Sequence, residues 1–110
     1  MTMTEQEFKN KADAALEALE RALNTAADDY GFDVDANAGT LTVEFENPLA
    51  KFVVSPNAPP RQIWVSALSR SYKLDWDEVA ASFVHGESGQ TLKDLMESVI
   101  GNQLGEEVSL

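Results

Sequence analysis

Among the side chains of this chain that could act at a functional site, carboxylates are the most abundant charged groups. The chain has 19 Asp and Glu residues, 8 Lys and Arg residues, one His and no Cys. Without cysteine there is no disulfide, no thiolate nucleophile and no sulfur ligand. Any metal must therefore be held by oxygen, helped at most by His85. Carboxylate oxygens suit hard cations, and crowded carboxylates also attract basic protein surfaces.

The carboxylates are concentrated in one part of the chain. Nine of the 19 lie in the first 35 residues, and none lies between Asn47 and Leu74. Three of them, Asp13, Glu17 and Glu20, have the i, i+4, i+7 spacing of neighbours on one side of a helix. The acidic cluster consists of Asp13, Glu17, Glu20, Asp28, Asp29, Asp33, Asp35, Glu44 and Glu46. It predicts a site for a cation or a basic protein, and the alternative is a solvated face that keeps an acidic protein soluble.

Residues 33–44 place oxygens at positions 1, 3, 5 and 12 of an EF-hand loop. Position 6, which needs glycine for the sharp turn, is Ala38. Position 8 is the polar Thr40, and residues 41–45 alternate like a strand. We therefore do not predict a calcium loop.

Trp64 is the second candidate. If Ile63 and Val65 point into the core, Gln62 and Trp64 must project from the opposite face of the strand, because strand side chains alternate. An exposed tryptophan is typical of an interaction hot spot, and the alternative is a strand buried on both faces. Two nearby arginines could supply a polar rim, Arg61 and Arg70.

Several functional classes are not expected. A net charge of −11 disfavours nucleic acid and anionic membranes as partners. We find no run of about 18 apolar residues and no signal-peptide pattern at the start, so we expect a cytoplasmic protein. No nucleophile elbow, phosphate-binding glycine loop or zinc-protease motif is present, and we expect no enzyme. We interpret His85 as an ordinary surface or strand-end residue.

A helix is predicted first. Thr4 and Glu7 have capping-box spacing, Met3 and Phe8 have hydrophobic-staple spacing, and Tyr30-Gly31 ends the helix. Its predicted buried stripe is Phe8, Ala12, Ala15, Leu16, Leu19 and Leu23.

Strands follow, because the pattern changes to period 2. The predicted strands are Phe32–Asn37, Leu41–Glu46, Lys51–Val54, Gln62–Leu68, Tyr72–Trp76 and, as a short edge strand, Ser82–His85. We expect Pro56–Pro60 to be a loop. Ser88 or Thr91 caps a last helix with a buried face of Leu92, Leu95, Met96, Val99 and Ile100, and Gly101–Leu110 is expected to fray.

This order predicts an α+β fold in one domain spanning residues 1–110, with a core of about 4–103. Two helices, N- and C-terminal, are expected to pack on one face of a five- to six-stranded antiparallel sheet, as a two-layer α-β sandwich.

Several segments carry a family resemblance. They are Asp33-Val34-Asp35, Gly39-Thr40-Leu41-Thr42-Val43, Pro59-Pro60-Arg61-Gln62-Ile63-Trp64-Val65-Ser66, Asp75-Trp76 and Gly89-Gln90-Thr91-Leu92-Lys93-Asp94-Leu95-Met96. Together with the acidic first helix, over roughly residues 5–100, the chain resembles the frataxin family in its bacterial CyaY branch.

The resemblance implies weak binding of ferrous or ferric iron and a role in iron–sulfur cluster assembly. It implies an acidic ridge that docks on a cysteine desulfurase, and a tryptophan-bearing sheet face that contacts the scaffold protein. By position the acidic ridge is Asp13, Glu17, Glu20, Asp28, Asp29, Asp33 and Asp35, with Glu44 as an outlier. The implied partner-binding residues are Glu17, Glu20, Arg61, Gln62 and Trp64.

The chain departs from the family pattern between Glu20 and Asp28, where Arg21, Asn24 and Thr25 interrupt the acidic ridge. We therefore expect docking on a basic partner to be retained better than tight iron binding. The loop before Gln62 and the Arg70-Ser71 pair also depart from it.

The function that the resemblance implies is an iron-binding regulator and iron donor in cluster assembly. The alternatives are a metal-independent acidic adaptor and a ferroxidase-type enzyme. A monomer is expected, with an iron-dependent oligomer as the alternative.

Overall fold

Two helices lie on one face of an antiparallel sheet in the computed structural model of the chain, which describes residues 4–37, 39–46, 49–57 and 61–110. This confirms the predicted two-layer α-β sandwich. The elements, in chain order, are α1 (Glu5–Tyr30), β1 (Asp33–Asn37), β2 (Thr40–Glu46), β3 (Leu49–Asn57), β4 (Gln62–Ala67), β5 (Arg70–Asp77), β6 (Ser82–His85), β7 (Gln90–Thr91) and α2 (Leu92–Leu104).

The sheet is a meander in which each strand pairs with the next along the chain. The described residues form seven strands, one more than the upper end of the predicted range. The additional strand is β7, in which Gln90 pairs with His85 and Thr91 with Val84. A two-residue strand carries no periodicity that sequence reasoning could detect.

Helix α1 begins at the predicted capping box. The Glu7 backbone N–H donates to Thr4 Oγ1 at 3.1 Å, and the Thr4 N–H donates to Glu7 Oε1 at 3.3 Å. The predicted staple residue Met3 lies outside the described residues. The helix ends at Gly31, whose φ of 77° is the left-handed conformation that glycine adopts without strain. Its buried face is Phe8, Ala12, Leu16, Leu19, Leu23 and Ala26.

Strand β3 is longer than predicted, because it continues through Pro56, which lies opposite Ile63 of β4. Among the described residues, the pairing of β2 with β3 stops at Val54. Pro56 therefore has a neighbouring strand on one side only, which is the setting in which a sheet tolerates proline. The rest of the predicted loop, residues 58–60, lies outside the described residues.

The C-terminal segment is folded back rather than frayed. Helix α2 continues to Leu104, and Val108 is buried among the core residues. The Ser109 N–H donates to the Tyr30 hydroxyl at 3.4 Å, and the Leu110 N–H donates to Glu97 Oε2 at 2.7 Å. The segment thus joins the end of α1 to α2. No helix in the described ranges has the length and apolar character needed to cross a bilayer.

Candidate functional site

Three ridge carboxylates meet at a groove between α1 and the first hairpin. Asp13, Glu17 and Glu20 line this groove, whose volume is about 220 Å³, together with Ala36, Asn37, Gly39, Leu16 and Leu41. Asp13 and Glu17 are exposed and Glu20 is half-buried. The i, i+4, i+7 spacing therefore brings the three side chains to one side of α1, as the sequence predicted.

Arg21 reduces the negative charge of this groove. Its Nη2 donates to Glu17 Oε1 at 2.6 Å, and both side chains are largely exposed. An exposed i, i+4 ion pair contributes only about 0.3–0.5 kcal/mol. Neither Asp13 nor Glu20 forms an ion pair with any described residue, so two of the three carboxylates keep an uncompensated charge.

The strand carboxylates lie on the other face of the sheet. Val34 is packed against the core, so Asp33 and Asp35, which are exposed, project from the open face. Asp33 is directly opposite the exposed Glu44 of β2. Glu44 is in turn opposite Lys51 of β3. The acidic ridge therefore consists of two groups, one on each face of the edge strand β1, and the sequence did not predict this division.

Asp28 and Asp29 connect the two groups in chain order. Both are exposed and lie in the last turn of α1, which contains no basic residue. The C-terminal end of a helix carries a partial negative charge from its unpaired carbonyl groups. The helix end therefore adds to the negative potential of these two carboxylates. A cation beside them would be attracted by the carboxylates and by the helix end.

The ridge is an open surface rather than a closed metal centre. Within the described residues, no group of three or more His, Asp or Glu side chains has the geometry to hold a metal ion. Hard cations can bind such surfaces through one or two carboxylates while keeping part of their hydration shell, with modest affinity and little selectivity. Strand β2 occupies residues 40–46, where an EF-hand would begin its second helix.

Trp64 projects from the open face of the sheet, with 37% of its surface exposed. Ile63 and Val65 beside it are buried, so the predicted alternation is confirmed. Its Nε1–H donates to Gln62 Oε1 at 2.9 Å, and the Gln62 amide donates to Asp75 Oδ1 at 3.0 Å. We call Gln62, Trp64, Lys73 and Asp75 the tryptophan face.

Lys73 is a member of the tryptophan face that sequence reasoning missed. It pairs with Trp64 across β4 and β5, and its Nζ lies 5.0 Å from the centroid of the Trp64 ring. The cation and the hydrogen bond to Gln62 hold the indole in one orientation. Lys73 lies in a predicted strand, but the pairing register that places it beside Trp64 is a long-range property of the fold.

The two arginines predicted as a polar rim are placed differently. Arg61 has a φ of 53°, directly precedes Gln62 and is half-buried. The Arg70 guanidinium lies 5.4 Å from the centroid of Tyr72. Because Tyr72 is opposite the buried Val65 and packs against the core, this contact lies on the face away from Trp64. Arg70 is therefore not part of the tryptophan face.

His85 ends β6, as expected of a strand-end residue. It is 9% exposed, and its Nδ1 lies 2.8 Å from Ser88 Oγ. Its Nε2 is 3.7 Å from the exposed carboxylate of Glu87. The centroids of the His85 and Tyr72 rings are 5.3 Å apart, in an edge-to-face arrangement. These contacts describe a packed residue with a local hydrogen bond.

Comparison with known proteins matches this chain to one family. The family model described as a frataxin-like domain matches residues 1–106. The iron-sulfur cluster assembly protein CyaY of Azotobacter vinelandii is 32% identical over 108 residues, covering 98% of this chain and 96% of the relative. That of Ectopseudomonas mendocina is 33% identical over 110 residues, with coverage of 98% and 96%. The solved frataxin of Psychromonas ingrahamii has the same fold, with a TM-score of 0.72, 22% identity and coverage of 91% and 94%.

Proposed function

The chain belongs to the frataxin family, and from this premise we propose that it is a non-enzymatic, iron-binding regulator and iron donor in iron–sulfur cluster assembly. Its curated relatives are named as assembly proteins. The observation that carries the proposal is the convergence of Asp13, Glu17 and Glu20 on one groove, with Asp33 of the edge strand β1 directly opposite Glu44 of β2.

Iron binding in this proposal is weak and takes place on the surface. Ferrous and ferric ions accept oxygen ligands, and each cation bound at the acidic ridge relieves repulsion between neighbouring carboxylates. The contacts are exposed, so the affinity should fall as ionic strength rises. Asp13 and Glu20 are the strongest candidate ligands in the groove, because Glu17 is already paired with Arg21.

Docking on the cysteine desulfurase would use the same ridge. A basic patch on the desulfurase would complement the ridge and speed association by long-range attraction. Arg21 does not oppose this interaction strongly, because its exposed ion pair with Glu17 is weak enough to exchange for a partner's cation.

The tryptophan face would contact the scaffold protein. Tryptophan is enriched among residues that dominate binding energy. Trp64 is held by Gln62 and Lys73, so little side-chain freedom is lost when a partner covers it. Asp33, Glu44 and Trp64 share the open face. Trp64 lies three strands from β1, and Ser55, its partner on β3, is four residues along that strand from Lys51, which lies opposite Glu44. At the usual strand spacing and rise, Asp33 and Trp64 are roughly 19 Å apart. One assembly could therefore contact both surfaces.

A metal-independent adaptor is the second candidate. The Glu17–Arg21 ion pair and the open geometry of the ridge favour it, because a basic protein surface needs no closed coordination shell. The two candidates differ in one measurable respect, namely whether ferrous iron changes the affinity for the desulfurase.

The test is a binding titration of the chain against a CyaY-binding cysteine desulfurase, run anaerobically with and without ferrous iron. We expect Glu17→Lys with Glu20→Lys to weaken binding at least about tenfold, the equivalent of 1.4 kcal/mol. The matched control is Glu78→Lys with Glu107→Lys, which makes the same charge change at two exposed residues outside the ridge. An equal loss of desulfurase affinity in both double variants would refute ridge docking and assign the loss to net charge alone.

Iron binding itself is tested by amide NMR during a ferrous titration. We expect paramagnetic broadening to begin at residues 13–20 and 28–35. Unchanged signals there would refute the metal role, and an affinity for the desulfurase that does not respond to iron would favour the adaptor. Oxygen consumption no faster with protein than with free ferrous iron would support a non-enzymatic role.

A further inference from the structure

A second groove lies on the helix face, between α1, β6 and the start of α2, with a volume of about 490 Å³. Its walls are mainly apolar. They consist of Ala14, Ala15, Ala18, Leu19, Ala22, Trp76, Ala81, Phe83 and Leu92, with Ser82 and Thr91. A volume of this size and a mainly apolar lining are typical of sites for small ligands. We call it the alanine groove.

The charged residues that line the alanine groove are positive, whereas the chain as a whole has a net charge of −11. Lys11 and Lys93 line the groove, and none of its lining residues is acidic, although 19 of the 110 residues in the chain are Asp or Glu. At about 100° per residue, Ala18 is roughly 140° around α1 from Asp13. The alanine groove and the acidic ridge therefore lie on different sides of the same helix.

Trp76 supplies a third feature. Its Nε1 is buried and has no hydrogen-bond partner among the described residues. The Lys11 ammonium lies 4.3 Å from the centroid of its ring, and the Phe83 ring meets it at 5.3 Å. A buried donor without an acceptor is unfavourable and uncommon in folded proteins. The Trp76 ring, rather than this buried nitrogen, lines the alanine groove beside Lys11.

We propose that the alanine groove binds a free alkyl carboxylate, such as a medium-chain fatty acid. The alkyl chain would cover the alanine side of α1 and the Phe83 ring. The carboxylate would lie at the lysines and accept charge-assisted hydrogen bonds from Lys11 and Lys93. This inference is independent of the proposed iron role, because it uses a different side of α1.

The test uses decanoate below its micelle concentration as the probe, with Trp64→Phe as background so that Trp76 is the one remaining tryptophan. We expect saturable changes in Trp76 fluorescence, and amide NMR shifts centred on residues 14–22 and 81–83. Decanol and decyltrimethylammonium, which share the chain but lack the carboxylate, should bind at least about tenfold more weakly, a difference of 1.4 kcal/mol.

Three variants sharpen the test. Lys11→Gln with Lys93→Gln should weaken decanoate about tenfold and leave decanol binding unchanged. Ala18→Leu, which fills the groove from an exposed helix position, should remove binding of both. Lys9→Gln removes a charge from α1 outside the groove and should leave decanoate affinity unchanged. Circular dichroism of each variant checks that the fold is retained.

Three results would overturn the proposal. One is equal affinity for decanoate and decanol, which would mean that the lysines do not select the anion. The second is decanoate shifts confined to the tryptophan face. The third is groove shifts that appear on raising the protein concentration without ligand, together with a larger sedimentation coefficient, because a second copy would then be the occupant.

Discussion

Arg21 and Glu17 lie one turn apart on α1, and the Arg21 Nη2 donates to Glu17 Oε1 at 2.6 Å. This contact places a positive charge on the middle member of three carboxylates that line one groove. A cation that binds the groove must therefore either compete with Arg21 for Glu17 or use Asp13 and Glu20 alone. Under the proposed function, the ion pair should therefore lower the affinity of the groove for iron.

Replacing Arg21 should strengthen iron binding. We expect Arg21→Gln to raise ferrous affinity about twofold, because an exposed i, i+4 ion pair contributes about 0.3–0.5 kcal/mol. Anaerobic calorimetry would measure the change. Arg70→Gln removes the same charge at a residue that lies over Tyr72, away from the acidic ridge, and is the matched control. A twofold gain in both variants would assign the effect to net charge rather than to release of Glu17.

Trp64 should matter for binding and little for folding. It is 37% exposed, so we expect Trp64→Ala to lower the free energy of unfolding by less than about 1 kcal/mol. Scaffold binding should weaken by at least about 2 kcal/mol if Trp64 is a hot spot. Urea unfolding and a scaffold titration would measure the two effects.

The contrasting variant is Trp76→Ala, at a tryptophan packed on Phe83 and against the core. We expect it to lower the free energy of unfolding by about 3 kcal/mol. If Trp64→Ala destabilises the fold as much as Trp76→Ala, Trp64 is a core residue and its role at an interface is refuted.

The parts of this fold that depend on local signals could be predicted from the sequence. The capping box at Thr4 and Glu7 begins α1, and Gly31 ends it, because both signals act within one helical turn. The alternation through Ile63, Trp64 and Val65 predicts correctly which face of β4 is buried and which is exposed. In each case, neighbouring residues determine the conformation.

The missed features depend on contacts between distant residues. The sequence could not show that Lys73 lies beside Trp64, because the register of β4 with β5 sets that pairing. The sequence pattern also places Asp13 and Asp33 in one acidic ridge, although in the fold they lie on opposite faces of β1. The sequence predicts a frayed tail around Val108, which is buried, because a single apolar residue in an acidic segment gives no periodic signal.

The C-terminal segment should contribute to stability. Removing residues 108–110 exposes the site that Val108 fills and removes the hydrogen bonds to Tyr30 and Glu97. We expect the free energy of unfolding to fall by about 2 kcal/mol, the scale for burial of one valine side chain. Ser109→Ala keeps the backbone donor to Tyr30 and should change stability by less than about 0.5 kcal/mol. An unchanged urea midpoint in the truncated chain would show that the segment is frayed in solution.

Substitution of Gly101 should test the same packing, because its effect on the free energy of unfolding should have opposite signs in the full chain and in a truncated chain. A Cβ at this helical position would lie 2.9 Å from the backbone oxygen of Glu106. Gly101→Ala should therefore destabilise the full chain, since the folded-back segment would have to shift. In a chain that ends at Gly105 the contact is absent, and the higher helix propensity of alanine should instead stabilise α2 by about 0.5–1 kcal/mol. Urea unfolding of the four proteins measures both effects, and a stabilising Gly101→Ala in the full chain would show that residues 106–108 do not pack against α2.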